Sequence, residues 1–241
     1  MFHFYRPTDL PSLHPRDMTD DGPYIGSSLH NDVAMWLFSL LRSIEIAGRV
    51  SWHVTGLLGM DIPWDDGRID RFFADLTIYP TTVDPMAETI SLAMAGPPLL
   101  VLEIADIAAA KEMAADVDLT EAKAALYEAI GVRDYLVYDL ELARTGRNAP
   151  IWARKAGVSG GWEPWELDER GLWVSDTTGV AFSPAGEGAR RSLRLWGLDG
   201  EPYLTEAEYL DGVRRRAEEE RAAVAEAKLT LLRARYKGGL S

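Results

Sequence analysis

Two acids in this chain stand where acids are costly. Asp75 interrupts the apolar run FFADLTIYP and Glu103 the run PPLLVLEIAD, each at or near the end of a segment that reads as a β-strand. A carboxylate in such a place needs compensation for its lost hydration, and a bound cation supplies it well. If the two segments are neighbours in one sheet, the acids meet although they are far apart in the chain. Two such carboxylates and a main-chain carbonyl make a site for a hard cation, with room left for water and phosphate oxygens. A single Asp or Glu at a strand end also serves as a turn or capping residue, and the pair alone does not decide between these roles.

Composition narrows the chemistry. The 241 residues contain no cysteine, which removes disulfides, thiolate zinc sites and a cysteine nucleophile. The four histidines, His3, His14, His30 and His53, include no pair at helical ligand spacing, so a histidine-bound transition metal is not expected. Any metal is therefore a hard ion held by carboxylates. The apolar content of 47% is that of an ordinary globular protein. No run approaches the roughly 20 apolar residues of a membrane helix, and the start MFHFYRPTDLPSLHPRD lacks a basic-then-apolar leader pattern, so a cytoplasmic protein with no membrane partner is expected. The net charge of −13 opposes tight nonspecific binding of nucleic acid, which needs clustered Lys and Arg. Residues 206–237 carry eight Lys and Arg against seven Asp and Glu, so the acidity lies elsewhere. A DNA-binding face would have to be a local basic patch, or be completed by a partner.

The elements that must hold these residues follow from spacing. Residues 6–25 are rich in Pro, Asp and Thr and read as irregular. Leu29, Val33, Trp36, Leu37, Leu40, Leu41 and Ile44 predict an amphipathic helix from Ser28 to Gly48. Three β-rich runs follow, RVSWHVTGL, RIDRFFADLTIYP and PPLLVLEIA, the last continuously apolar as in a strand covered on both faces. A helix is predicted from Asp118 to Ile130 with Gly131 as its C-terminal cap, then the strand DYLVYDLE. Helix, three strands, helix and strand make a mixed α/β core. Short segments bearing Trp152, Trp162, Trp165, Trp173 and Trp196 between glycine-rich turns predict an antiparallel extension with tryptophans as packing residues. The spacing from Thr205 to Glu208 is that of a capping box, and one helix continues to Tyr236. Leu210, Ala217, Val224 and Leu231 recur every seven residues along it, which suits either a weak coiled coil joining two copies or a solvated helix. The chain thus divides into a lead-in (1–25), a core (26–148), a β extension (149–204) and a charged C-terminal helix (205–241).

The run from Asp75 through PPLLVLEIADI to DLTEAKAALYEAIGVRDYLVYDLE resembles the Uma-two family, bacterial restriction-endonuclease-like proteins of the PD-(D/E)xK nuclease superfamily. The string Lys123, Tyr127, Gly131, Val132, Tyr135 and Asp139 carries the resemblance most closely, with His30 and DGEPYLTEAEYL in support. It covers roughly residues 25–145 well and the remainder loosely. It implies a restriction-endonuclease-like three-layer core, a mixed sheet flanked by helices, in which Asp75 and Glu103 are metal ligands. The superfamily's lysine lies two residues after the glutamate, where this chain has Ala105; in Uma-two proteins it comes from the next helix, which corresponds to Lys123. Two further departures are Ala74 in place of a proline and Ala105-Asp106-Ile107 in place of Ser-Pro-Ser.

The resemblance implies phosphodiester hydrolysis of DNA with Mg2+ or Mn2+, the ion held by Asp75, Glu103 and the Ile104 carbonyl. Lys123 would steady developing charge or orient the attacking water, or else be a solvated helix charge. Tyr127, one turn further on, would touch phosphate or serve as a core tyrosine. Asp106 would join the metal shell or cap a turn. Two other functions remain open: a nuclease fold without turnover acting as a binding or scaffold module, and a hydrolase of small phosphate esters.

Overall fold

The structure is a computed structural model describing residues 2, 4–8, 28–48, 50–81, 83, 84, 87, 89–105, 119–139, 152–158, 160–185, 192–204 and 206–238. Most of the lead-in and Asp106 lie outside the described residues. The chain forms two compact units, Met1–Pro202 and Tyr203–Ser241.

The first unit opens with α1 (Ser28–Ile46), as the spacing predicts. Its apolar stripe is buried through Val33, Leu37, Leu40, Leu41 and Ile44. Four strands follow: β1 (His53–Gly56), β2 (Gly59–Pro63), β3 (Ile69–Phe73) and β4 (Leu76–Tyr79). After them come β5 (Thr89–Ser91), the short α2 (Leu92–Ala95) and β6 (Leu100–Ala105). Helix α3 (Leu119–Ala129) leads to β7 (Asp134–Asp139), and β8 (Trp152–Ala156) and β9 (Trp162–Pro164) form a hairpin. Strands β10 (Trp173–Ser175), β11 (Val180–Ala185) and β12 (Ser192–Gly197) close the unit.

The main sheet is six-stranded and mixed, in the order β1-β4-β6-β7-β8-β9, with β6 and β7 parallel and every other pair antiparallel. Two three-stranded sheets accompany it, β3-β2-β5 and β10-β11-β12. The protein is thus mixed α/β, with helices packed on a mixed sheet. β6 is buried along almost its whole length, as its continuous apolar run requires, and successive side chains serve opposite faces. Val101, Tyr135 and Val137 join Leu126 and Tyr127 of α3 in one core cluster, which also takes in Met60 and Ile62 of β2.

The structure differs from the sequence expectation in three places. The run RIDRFFADLTIYP is not one strand: it breaks at Ala74 and Asp75, and its halves, β3 and β4, belong to different sheets. β2 and β5 are additional strands that short length and the nearby prolines hide. The segment read as an extension is also divided, since β8 and β9 continue the main sheet while β10–β12 form their own.

The second unit is the helix α4 (Glu206–Gly238). Its described side chains are largely exposed, Val224 among them. Asp211 pairs with Arg214 and Arg215 on its surface. Among the described residues no helix is long and apolar enough to cross a membrane.

Candidate active site

The break at Asp75 sets up the site. β4 pairs with β6 so that Leu76 lies opposite Leu102, and the next step of that register sets Asp75 opposite Glu103. Residues directly opposed across antiparallel strands present their side chains to the same face. Because β4 begins only at Leu76, the backbone of β6 beyond Leu102 needs another partner on that side. The Asp75 carboxylate supplies it: Oδ2 accepts the Ile104 N–H at 2.7 Å.

The other Asp75 oxygen, Oδ1, lies 3.0 Å from His30 Nε2 in the first turns of α1. An ionised carboxylate only accepts, so Nε2 carries the proton of this bond. The Asp75 side chain is 12% exposed. Burial works to raise its pKa, but the bond from His30, the charges of His30 and Lys123 and the Ile104 N–H together hold it below the usual carboxylate range.

Glu103 is deeper. Its Oε1 accepts from Lys123 Nζ at 3.2 Å and from the Tyr127 hydroxyl at 2.7 Å. Burial pushes its carboxyl up, the Lys123 ammonium pulls it down, and the negative charge of Asp75 adds to the rise; the result is a raised pKa. Tyr127 is fully buried, and burial, followed by the adjacent Glu103 charge, lifts its phenol well above the ordinary value. It therefore stays protonated and acts as a donor to Glu103.

Lys123 and Tyr127 reach one oxygen because they are four residues apart on α3 and so share a face. The helix stops on a left-handed glycine, Gly131, with φ of 80°. Val132 N–H bonds back to the Tyr127 carbonyl at 3.0 Å and Gly131 N–H to that of Glu128 at 3.0 Å, a Schellman closure. That stop brings the chain directly into β7, beside β6.

Of the residues singled out by sequence, the structure gathers His30, Asp75, Glu103, Lys123 and Tyr127 into one cluster. Ile104 belongs to it through its N–H. Two carboxylates set opposite each other, both within the influence of the Lys123 charge, form an oxygen donor set suited to a hard ion. Among the described residues no three His, Asp or Glu side chains gather to hold an ion by themselves, so for any ion here a third donor would have to come from the main chain or from water.

A second buried acid lies on the same sheet. Asp134, at the start of β7, accepts from Ser175 Oγ at 2.5 Å, and Ser175 Oγ accepts from the Thr178 hydroxyl at 2.7 Å and the Thr178 N–H at 3.1 Å. Burial raises the Asp134 carboxyl to about 6 against the downward pull of Ser175 and Thr177. Further out, Glu45 of α1 bonds His53 Nδ1 at 2.7 Å, Arg42 at 2.5 Å and the Val54 N–H at 3.1 Å, which fastens α1 to β1.

Compared with known proteins, the sequence matches no family model and no curated protein.

Proposed function

We propose that the protein is a metal-dependent phosphodiesterase with a restriction-endonuclease-like core, cutting DNA at the Asp75–Glu103 cluster. The observation that carries this reading is the register that sets Asp75 opposite Glu103, with the Lys123 ammonium bonded to Glu103 and its charge felt by both acids, so that one pKa is held down and the other pushed up. Buried like charges so close are disfavoured unless a cation is shared between them. Asp75 and Glu103 would hold Mg2+ or Mn2+. A strand residue sends its N–H and C=O to the same side, so the bond from the Ile104 N–H to Asp75 favours the Ile104 carbonyl as the third donor. An ion so held would supply Lewis-acid chemistry, activating a water and polarising a phosphate oxygen.

The chain's own groups do the rest. His30 keeps Asp75 ionised and fixed in orientation. Tyr127 holds Glu103 by a short donated bond. Lys123 compensates the acids before substrate arrives and steadies charge that develops on the phosphate. The overall charge of −13 opposes tight nonspecific binding, so the grip on DNA would come from a local basic patch or a partner.

The test is incubation of supercoiled plasmid and single-stranded oligonucleotides with Mg2+ or Mn2+. Ion-dependent nicking by the wild type and its loss in Asp75→Asn support the reading. Equal nicking by the two proteins would refute it.

One observation favours a binding module instead. A groove of about 580 Å³, lined by Trp173, Trp196, Pro184, Leu167 and Arg170, lies on the β10–β12 sheet and includes none of the acid cluster. A module acting through this groove keeps its partner in Asp75→Asn and loses it when Trp196 is replaced by alanine.

A further inference from the structure

The acid cluster continues into an aromatic stack. The Tyr127 ring packs against Tyr135 at 5.2 Å between centroids, tilted by 56°, and Tyr135 stacks on Trp162 at 5.2 Å and 20°. Tyr135 and Tyr127 are fully buried, and Trp162 closes the stack at its outer end. Trp162 is itself fixed at two points: its indole Nε1 donates to the Val132 carbonyl just beyond α3 at 2.8 Å, and its main-chain N–H to Glu128 Oε1 in the last turn of α3 at 2.7 Å.

The β8–β9 turn is shaped for this. Gly160 and Gly161 both have left-handed φ, 82° and 77°, and a Cβ on Gly161 would stand 3.3 Å from Glu128 Oε1. A side chain there would crowd the oxygen that receives the Trp162 N–H.

We infer that Trp162 is a positioning residue of the acid cluster: acting through Tyr135 and by clamping the end of α3, it holds the Tyr127 hydroxyl on Glu103. Three rings, each seated on the next, leave Tyr127 one position, and its hydroxyl is the shortest bond that Glu103 receives. The β8–β9 hairpin is then part of the site's support. Support of this kind costs about 10- to 100-fold in metal affinity or activity when removed. The inference rests on the reading of Asp75 and Glu103 as the site, and its test is independent of any metal.

The probe is the full chain labelled with 13C at tyrosine Cζ, whose shift reports the hydrogen bond of each phenol. The chain has nine tyrosines, and the Tyr127 signal is assigned by its loss in Tyr127→Phe. Expected is a displacement of that signal in Trp162→Ala in the direction given by Glu103→Ala, with recovery in Trp162→Phe, which keeps a flat ring. Trp165→Ala serves as the control. It removes a buried indole bonded to the Val174 carbonyl, away from the stack, and leaves the signal in place. An unmoved signal in Trp162→Ala, or an equal shift in Trp165→Ala, would overturn the proposal. If Trp162→Ala does not fold, Trp162→Leu, apolar but without the ring, is judged by the same criterion. Cleavage adds a second readout: Trp162→Ala lowers kcat about tenfold, and Trp162→Ala with Tyr127→Phe is no slower than Tyr127→Phe alone. A shifted signal in a protein that never cuts DNA would leave Trp162 as the positioner of Tyr127 and remove the nuclease reading only.

Discussion

Glu103 and Asp134 sit on adjacent parallel strands, both buried, both with a carboxyl pushed above its ordinary range. Their surroundings are unlike. Asp134 accepts from the neutral hydroxyls of Ser175 and Thr177, with Thr178 donating to Ser175 behind them, and the charges of Asp176 and Lys155 bear on it less than burial and these bonds. Glu103 is met by an ammonium, a phenol and a second carboxylate. The first arrangement ties β7 to the turn after β10 and has its needs met within the fold. The second concentrates opposing charges on a few atoms, which stabilises the fold poorly and suits an incoming cation. Burial and a raised pKa are common to both, so the kind of partner is what would tell an acid that holds the fold from one that serves the proposed chemistry.

The largest effect expected from this contrast is on turnover. Asp75→Asn removes one of two like charges and retains an acceptor for the Ile104 N–H, while His30 can change tautomer to accept from the new amide. Metal-dependent cleavage should fall by about 10³-fold or more, while thermal unfolding stays within about 1 kcal/mol of wild type. A strongly destabilised Asp75→Asn protein would place Asp75 with Asp134, among the acids that hold the fold.

Asp134→Asn is the mirror experiment. The folded pKa of about 6 lies above the ordinary 3.8, so the folded protein binds the proton more tightly than the unfolded chain. The stability associated with that proton is complete below pH 4 and lost as pH rises through 6. An amide does not titrate. Stability curves of wild type and Asp134→Asn, measured in urea from pH 4 to 7, should therefore diverge by about 2–3 kcal/mol, the variant gaining at the higher pH. Cleavage should be unaffected. Parallel curves would mean that Asp134 keeps an ordinary pKa and that the hydroxyl bonds offset its burial in full.

Lys123→Ala comes next. It leaves Glu103 with Tyr127 and the ion, and should cost about 10²-fold in kcat, equivalent to about 2.7 kcal/mol, with a smaller change in KM. Unchanged kcat would show Lys123 to be a charge that balances Glu103 and nothing more.

How far these differences could be read from the chain depends on what each residue interrupts. Asp75 and Glu103 are legible because each breaks an apolar run, and α1, α3, β6 and β7 because their periods are clean. The separation of β3 from β4 is not, since FFADLTIY stays apolar across the break and only pairing in three dimensions sends the halves to different sheets. Lys123 stands out through a family-like string of residues, because a lysine on a helix face carries no local sign of the acid it will meet. Asp134 reads as the first residue of a strand, and the hydroxyls that satisfy it come from a turn far along the chain. Trp162 reads as one packing tryptophan among several, and only the stack on Tyr135 sets it apart.

The smallest effect lies where the two acids are joined. Gly131 ends the helix that carries Lys123 and Tyr127 and turns the chain toward Asp134. A Cβ there would have Pro97 at 3.8 Å, an ordinary contact, so Gly131→Ala incurs only the strain of a left-handed φ. The expected loss is about 1 kcal/mol of stability by chemical denaturation, with cleavage changed less than about twofold. The reason for the second figure is that Tyr127 is held from two sides, by Glu103 and by the ring of Tyr135, which β7 fixes through its pairing with β6. A tenfold loss of cleavage at this modest cost in stability would show that the cap, rather than the stack, sets the position of α3 over the acids.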